Sequence, residues 1–340
     1  MVFKKDDSPK ENVISNKVIL HSLKYSGTKA YLMNSYELNK LYKQINPDIV
    51  NAHYASGYGT LARFSELRPL ILSVWGSDVY DFPYQNKLKM RIIKDNLLYA
   101  DEIASTSNCM AKQVKKLLNL DSVNITVTPF GVDTKKFLRK NEKRKRDNIC
   151  IGNIKTLTPK YGISDLIKSI RILKDKLKDD NLGDISNTIK LIIYGDGEQK
   201  EELVEMVKKY DLNDTVEFKD KIPNSEVPNA LENFDIFCAT SISESFGVSA
   251  VEAMAMELPV VATDVDGFKE VVDDGVTGII VKRQKPVEIA TALKKLVLDE
   301  GMRLDMGKKG RKRVLRLYDW EKNVDIMEKL YNNVYISRKR

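Results

Sequence analysis

Short apolar runs bounded by Gly, Pro, Asn and Asp recur along the chain, separated by longer stretches with apolar residues three and four apart. In the first part, residues 18–23, 48–53, 70–74, 102–106 and 125–129 predict strands, and residues 29–44 and 85–100 predict helices. In the second part, residues 149–154, 189–194, 215–218, 236–239, 260–263 and 278–281 predict strands. Helical patterns lie at 163–176, 200–210 and 226–233, and a last one at 320–337 follows a break at 317–319. Strands alternating with helices predict two α/β halves with mostly parallel sheets. The charged run 139–147 has no apolar periodicity and predicts a linker, while the polar stretch 178–187 predicts an exposed loop. The domain reading is therefore 1–138, a linker at 139–147, 148–319, and a terminal helix at 320–340.

The most informative segment follows the run 234–239, apolar but for Asp235. It reads Ser243-Glu244-Ser245-Phe246-Gly247-Val248-Ser249-Ala250-Val251-Glu252-Ala253-Met254-Ala255. Gly247 permits a tight turn, and residues 248–256 predict a small-residue helix. Backbone N–H groups at such a helix start suit a phosphate. Glu244 at the strand end and Glu252 in the helix suit sugar hydroxyls, because carboxylates accept paired hydrogen bonds from vicinal diols. A lone Glu here would read as a solvated acid; the spaced pair, the glycine turn and the small helix together favour a site.

Residues 191–281 resemble the donor half of a retaining glycosyltransferase of family 4, which has the GT-B fold. Glu244 and Glu252 match that family's Glu-x7-Glu motif. Gly195-Asp196-Gly197-Glu198, Pro259-Val260-Val261-Ala262-Thr263, Glu270-Val271-Val272 and Gly275-Val276-Thr277-Gly278 stand around it in the family's order. The resemblance extends over nearly the whole chain from about Val18. It implies two Rossmann-like domains facing a central crevice, with the terminal helix crossing back to the first domain. It also implies a nucleotide-diphosphate sugar as donor substrate, with no cofactor and no metal.

By that resemblance Glu244 holds the donor sugar and Glu252 the ribose. Ser245, Phe246, Gly247, Val248, Gly195, Asp196 and Ile222 complete the donor side. Lys155 and Lys160 would neutralise the diphosphate; the family has Arg at the first of these positions, so the planar fork is lost there. Two solvated lysines are the plain alternative, and the match is more secure for Lys160. Asp264-Val265-Asp266 mimics a metal motif of another architecture and reads instead as a loop under the donor sugar. On the acceptor side, His53, Gly57, Tyr58, Trp75 and Asp78 lie in loops at strand ends. Many relatives have His where Trp75 stands, His53 reads equally well as structural, and Asp78 either orients a hydroxyl or caps the next turn.

Composition narrows the picture. The 340 residues suffice for two cores. No apolar run of about 18 residues predicts a membrane-spanning helix. The polar start, residues 1–16, lacks the apolar core of a signal peptide, and three widely spaced cysteines match neither a disulfide framework nor a metal pattern. The expected location is cytoplasmic, with peripheral contact at the inner face of the membrane. Residues 1–146 hold 25 Lys+Arg against 14 Asp+Glu, whereas the remainder holds 31 against 34. So basic a first half favours an anionic surface. Lys87, Lys89, Arg91 and Lys94 sit in the partly apolar pattern 85–100, which suits a membrane surface or simply a solvated helix face.

The reading is a retaining, metal-independent glycosyltransferase that moves a sugar to a lipid-linked or saccharide acceptor in surface-polysaccharide or glycoconjugate synthesis. The alternatives are a nucleic-acid-binding or non-catalytic partner protein on the same scaffold, or a nucleotide-sugar epimerase. Nucleic acid is disfavoured because aromatic and basic residues are not interleaved. Family members open with a buried strand, a glycine-rich loop and a helix, and this unit is expected to be missing from the first domain. The competing expectation puts residues 18–23 in the centre of the sheet, with Ser26-Gly27-Thr28 as the loop.

Overall fold

The computed structural model describes residues 1–7, 14–140 and 147–339. Two compact units emerge, Met1–Pro129 with Asp325–Arg340, and Phe130–Val324. Residues 141–146 of the predicted linker lie outside the described residues.

The second unit is built on one six-stranded sheet. Its strands are β7 (Ile149–Ile154), β8 (Ile189–Tyr194), β9 (Val216–Lys219), β10 (Ile236–Ala239), β11 (Val260–Thr263) and β12 (Gly278–Val281), in the order β12-β11-β10-β7-β8-β9. Every neighbouring pair is parallel. Strands covered on both faces should read as continuous apolar runs, and β10 and β11 are buried at every residue. The helix Ile163–Asp179 packs its stripe of Leu166, Ile170, Leu173 and Leu177 on one face. Helix Val248–Ala255 covers the other with Ala250, Val251 and Met254.

Within the stretch expected as an exposed loop, Gly183–Thr188 forms a short helix. Tertiary contacts override its polar composition: Leu182 and Ile185 pack on the core, and Lys174 Nζ donates to the Ser186 carbonyl at 3.1 Å. Residues 130–138, expected with the first domain, pack here. Val132 donates its amide to the Tyr318 carbonyl at 2.8 Å, and Trp320 returns one to the Val132 carbonyl at 3.1 Å.

In the first unit the strands form two separate ladders. β1 (Val2–Lys4) pairs in parallel with β2 (His21–Leu23). β3 (Val50–His53), β4 (Leu70–Val74), β5 (Glu102–Ser105) and β6 (Ile125–Val127) form a parallel sheet in chain order. β1 was not anticipated, because three residues followed at once by Lys5, Asp6 and Asp7 give no readable period. The expectation that residues 18–23 take the centre of the sheet is overturned. Only His21–Leu23 is extended, and among the described residues its sole strand partner is β1. The terminal helix Trp320–Lys339 begins in the second unit. From Asp325 on it belongs to the first, where Leu330 and Val334 bury against Ile71 and Ala104.

Candidate active site

In the second sheet the strand order reverses between β7 and β10. The chain leaves these neighbours towards opposite sides, which opens a crevice at their carboxyl ends, the usual ligand position in an open parallel sheet. The two loops bearing the predicted donor-side residues start there. Lys155 follows β7, and Glu244 lies a few residues beyond β10.

Lys155 Nζ and Glu244 Oε2 meet at 2.8 Å, with the side chains 21% and 14% exposed. The ammonium also stands 4.6 Å from the centre of the Tyr161 ring. Glu244 takes one of its three donors, so the pair can still address an anion. Lys160 is exposed on the tight turn Pro159–Tyr161. Its carbonyl accepts the Ile242 amide at 2.8 Å, and the Tyr161 carbonyl accepts from Thr240 Oγ1 at 3.1 Å. Backbone contacts therefore pin the lysine loop to the segment that carries Glu244.

Gly195 and Asp196 support this loop from behind. The Lys155 amide donates to the Tyr194 carbonyl and the Leu157 amide to the Asp196 carbonyl, both at 3.0 Å. A Cβ on Gly195 would lie 1.9 Å from the Lys155 carbonyl oxygen, so no side chain fits there. On the far side, the Gly267 amide donates to the Glu244 carbonyl at 3.0 Å and holds the turn through Ser245.

Gly247, at φ +100°, starts the helix Val248–Ala255 in a conformation that favours glycine. No side chain caps this helix, which leaves the amides of Val248 and Ser249 facing away from it without an intrahelical acceptor. Phe246 does not face a ligand: it is 2% exposed, packed edge-on against Phe130 and Tyr318 at centroid distances of 5.7 and 5.5 Å. Only its backbone is available to a donor. Ile222 is half-buried against the same core.

Glu252 sits one turn into that helix. Burial pushes its carboxyl up to about 7, against the pull of the nearby Lys155 and Lys136 ammonium groups and a hydrogen bond with Asn224. Lys136 Nζ in turn donates to the carbonyl and Oδ1 of Asn224, both at 3.0 Å. Lys136 and Asn224 were missed in the sequence. They are far from Glu252 along the chain, and no spacing signals that the fold joins them. Of the two aspartates of the Asp-x-Asp run, Asp264 accepts from the amide and Nε of Arg283 at 2.9 and 3.0 Å, and Asp266 pairs with Lys269 at 3.0 Å.

The first unit gathers only part of its predicted set. His53 and Trp75 stand edge to face at 5.3 Å, and Tyr54, also missed as a site residue, lies 5.9 Å from Trp75. These three make an aromatic shelf at the ends of β3 and β4. Asp78 is 1% exposed and accepts from the amides of Ala55 and Gly76 at 2.8 Å and of Trp75 at 3.2 Å. Of its two expected roles, the turn-holding one is seen: it ties together the loops carrying His53 and Trp75. Tyr58 turns towards the N-terminal strand. Its hydroxyl donates to Asp7 at 2.6 Å and accepts from the Lys4 amide at 3.3 Å. Gly57 leaves room for Tyr31, whose ring a Cβ would meet at 2.4 Å.

Comparison with known proteins places this chain among sugar-transferring enzymes. A family model described as glycosyl transferases group 1 matches residues 134–313, and one described as glycosyl transferase 4-like matches residues 1–107. The first spans more than half of the chain, and the protein belongs to the glycosyl transferases group 1 family. An uncharacterized glycosyltransferase of Methanocaldococcus jannaschii is 28% identical over 336 residues, 96% of this chain and 88% of that one. The capsular polysaccharide biosynthesis glycosyltransferase CapM of Staphylococcus aureus is 29% identical over 314 residues, 86% of this chain and 78% of its own length. Among solved structures, Anabaena HepE in complex with UDP superposes with a TM-score of 0.76 at 16% identity, covering 92% of this chain and 86% of that one. The fold is GT-B. Among the described residues, no helix is long and apolar enough to cross a membrane.

Proposed function

We propose that this glycosyltransferase takes a sugar from a nucleoside-diphosphate donor held in the second unit, with retention of anomeric configuration and without a metal ion. The observation that carries the reading is the Lys155–Glu244 pair at the switch point of the sheet, beside the uncapped helix start at Val248 and with Glu252 further along that helix. Lys155, Lys160 and the helix-start amides oppose the charge that grows on the leaving diphosphate. Glu244 accepts from the donor sugar hydroxyls and Glu252 from the ribose. The bond from the anomeric carbon to the diphosphate oxygen breaks with its electron pair going to oxygen. The acceptor hydroxyl then attacks from the same face and gives its proton to the departing diphosphate. The acceptor is a lipid-linked or saccharide molecule of surface-polysaccharide or glycoconjugate synthesis, the chemistry that the name of CapM carries, and it meets the His53–Trp75 shelf.

The family match favours this reading over a nucleic-acid-binding or non-catalytic scaffold and over an epimerase. Calorimetric titration with a panel of nucleoside diphosphates tests it. One of them should bind saturably without metal, Glu252→Ala should weaken that binding, and chelator should leave transfer intact. Failure of every nucleotide to bind would overturn the donor assignment.

An inner-face membrane contact belongs to the same reading. On the helix Lys87–Tyr99, Leu88 and Leu98 are exposed, and Arg91 lies on the same stripe at helical spacing. Flotation with anionic vesicles should show binding that weakens with salt; flotation indifferent to charge or salt would remove this contact.

A further inference from the structure

The loop that carries Lys136 is fixed to the helix that carries Glu252. Asp133 Oδ1 accepts the Lys135 and Lys136 amides, both at 3.0 Å, and the Asp133 carbonyl accepts the Phe137 amide at 2.8 Å. Phe137 is buried in the core that Val251 and Met254 share. Arg311, on the helix Glu300–Leu317, closes the joint. Its guanidinium donates to the Thr134 carbonyl at 2.9 Å, to the Phe137 carbonyl, and at 2.8 Å to the Ala255 carbonyl at the end of the helix Val248–Ala255.

From this platform Lys136 reaches across to Asn224, the first residue of the turn Asn224–Glu226. An ammonium can only donate, and it donates to both oxygens of Asn224, main chain and side chain. The side-chain amide therefore keeps its oxygen on Lys136 and offers its NH2 group elsewhere. It hydrogen-bonds with Glu252, where an NH2 suits a carboxylate and an amide oxygen would be repelled. Lys136 thus sets which end of the amide Glu252 meets. The other cation near Glu252 is Lys155, which arrives from β7 on a different loop.

We propose that Lys136 and Asn224 are positioning residues that act in series: the lysine orients the amide, and the amide holds the Glu252 carboxylate with its remaining lone pairs towards the ribose hydroxyls. This role rests on Glu252 being the ribose acceptor. A carboxylate accepts at about four lone-pair sites, so one hydrogen bond from Asn224 leaves room for both hydroxyls of a vicinal diol. Without that donor a half-buried carboxylate is free to turn or to take up a proton, and a protonated carboxyl loses acceptor sites. The diphosphate is opposed elsewhere, by Lys155, Lys160 and the helix-start amides, so Lys136 and Asn224 act on the ribose. Together they set how strongly a ribonucleotide is preferred over its deoxy form.

Calorimetry on the full chain with UDP, GDP and ADP, each beside a dideoxy form that lacks both ribose hydroxyls, tests this. For the nucleotide that binds tightest, the parent should prefer the ribo form at least about tenfold, the scale of a hydrogen bond to a charged group. Asn224→Asp and Lys136→Met should each cut that preference to about threefold or less. Both should bind the dideoxy form as the parent does, which also shows that they are folded. Lys136→Arg, which still donates, should keep the preference. Asn224→Asp is the sharper variant: it keeps the shape and an acceptor for Lys136 but sets a second carboxylate against Glu252. A mere bracket between the two segments would survive it. A parent-like preference in Asn224→Asp would therefore overturn the proposal, as would equal loss of both nucleotide forms. Glu252→Ala separates the levels. If it removes the preference while Lys136→Met and Asn224→Asp leave it intact, the positioning role fails and the ribose reading stands. If Glu252→Ala keeps the preference, or no nucleotide binds, that reading fails and the positioning role with it.

Discussion

Among the described residues each unit carries six strands, but the second joins them in one sheet and the first splits them into ladders of two and four. In the second unit six strands run without interruption, and the reversal between β7 and β10 places Lys155 and Glu244 within 2.8 Å. In the first unit the ladder is split, and the predicted residues scatter: Tyr58 serves the N-terminal strand through Asp7, while Asp78 ties loops together. A central strand in a parallel sheet does two jobs, then. It closes the hydrogen-bond ladder on both sides, and it aims the loops that leave its carboxyl end.

The largest expected effect lies at the intact reversal. Glu244→Ala should reduce kcat by about 100-fold or more, on the scale of losing one electrostatic contact to a developing charge. Lys155→Met should lower it similarly, because its loss removes a charge aimed at the diphosphate and strands Glu244 half-buried. Residues in direct contact are non-additive. The double variant should therefore fall short of the product of the single losses by about tenfold, read from steady-state kinetics of all four proteins. Full additivity would mean that the pair acts on separate things and is not one site.

The split sheet itself is open to a direct measurement. The chain has two tryptophans, with Trp75 in the first unit and Trp320 in the second. Trp320→Phe leaves Trp75 as the reporter, and Trp75→Phe leaves Trp320. The first unit has two separate ladders, so Trp75 fluorescence should change at a urea midpoint about 1 M lower than that of Trp320. Coincident transitions would show that the units unfold together and that the split costs the first unit no independent stability.

The sequence carried the second unit further than the first for a physical reason. Strands buried on both faces, such as 236–239 and 260–263, are apolar runs broken only by Thr263 at the end of the second, and their limits match the structure residue for residue. The two glutamates stood out because Gly247 and the small residues after it mark a turn into a helix, the lysines stood out by family resemblance, and the structure brings Glu244 against Lys155. What stayed hidden rests on long-range packing: β1 is three residues long, Lys136 and Asn224 reach Glu252 only through the fold, and Phe246 turns inward to meet Phe130 and Tyr318. An aromatic residue in a ligand-binding loop reads alike in sequence whether it faces solvent or core.

A test at Glu252 separates burial from function in the intact unit. Its carboxyl ordinarily titrates near 4.5 and here stands at about 7, chiefly because burial disfavours the charge. The folded chain thus holds this proton in a range where the unfolded chain has released it. Stability must then fall as pH rises from about 4.5 through 7, since the unfolded state binds fewer protons there. Glu252→Gln keeps the shape and removes the titration. At pH 4 the variant and the parent should melt together. At pH 8 the variant should melt several degrees higher, a cost on the order of 3 kcal/mol having been removed. The same substitution should weaken nucleotide binding, because a carboxamide accepts fewer hydrogen bonds from ribose hydroxyls than a carboxylate does. A variant that is both stabler at pH 8 and poorer at binding marks Glu252 as a group kept for its ligand at the expense of the fold. If the melting difference were the same at pH 4 and pH 8, the buried carboxyl would not be the titrating group.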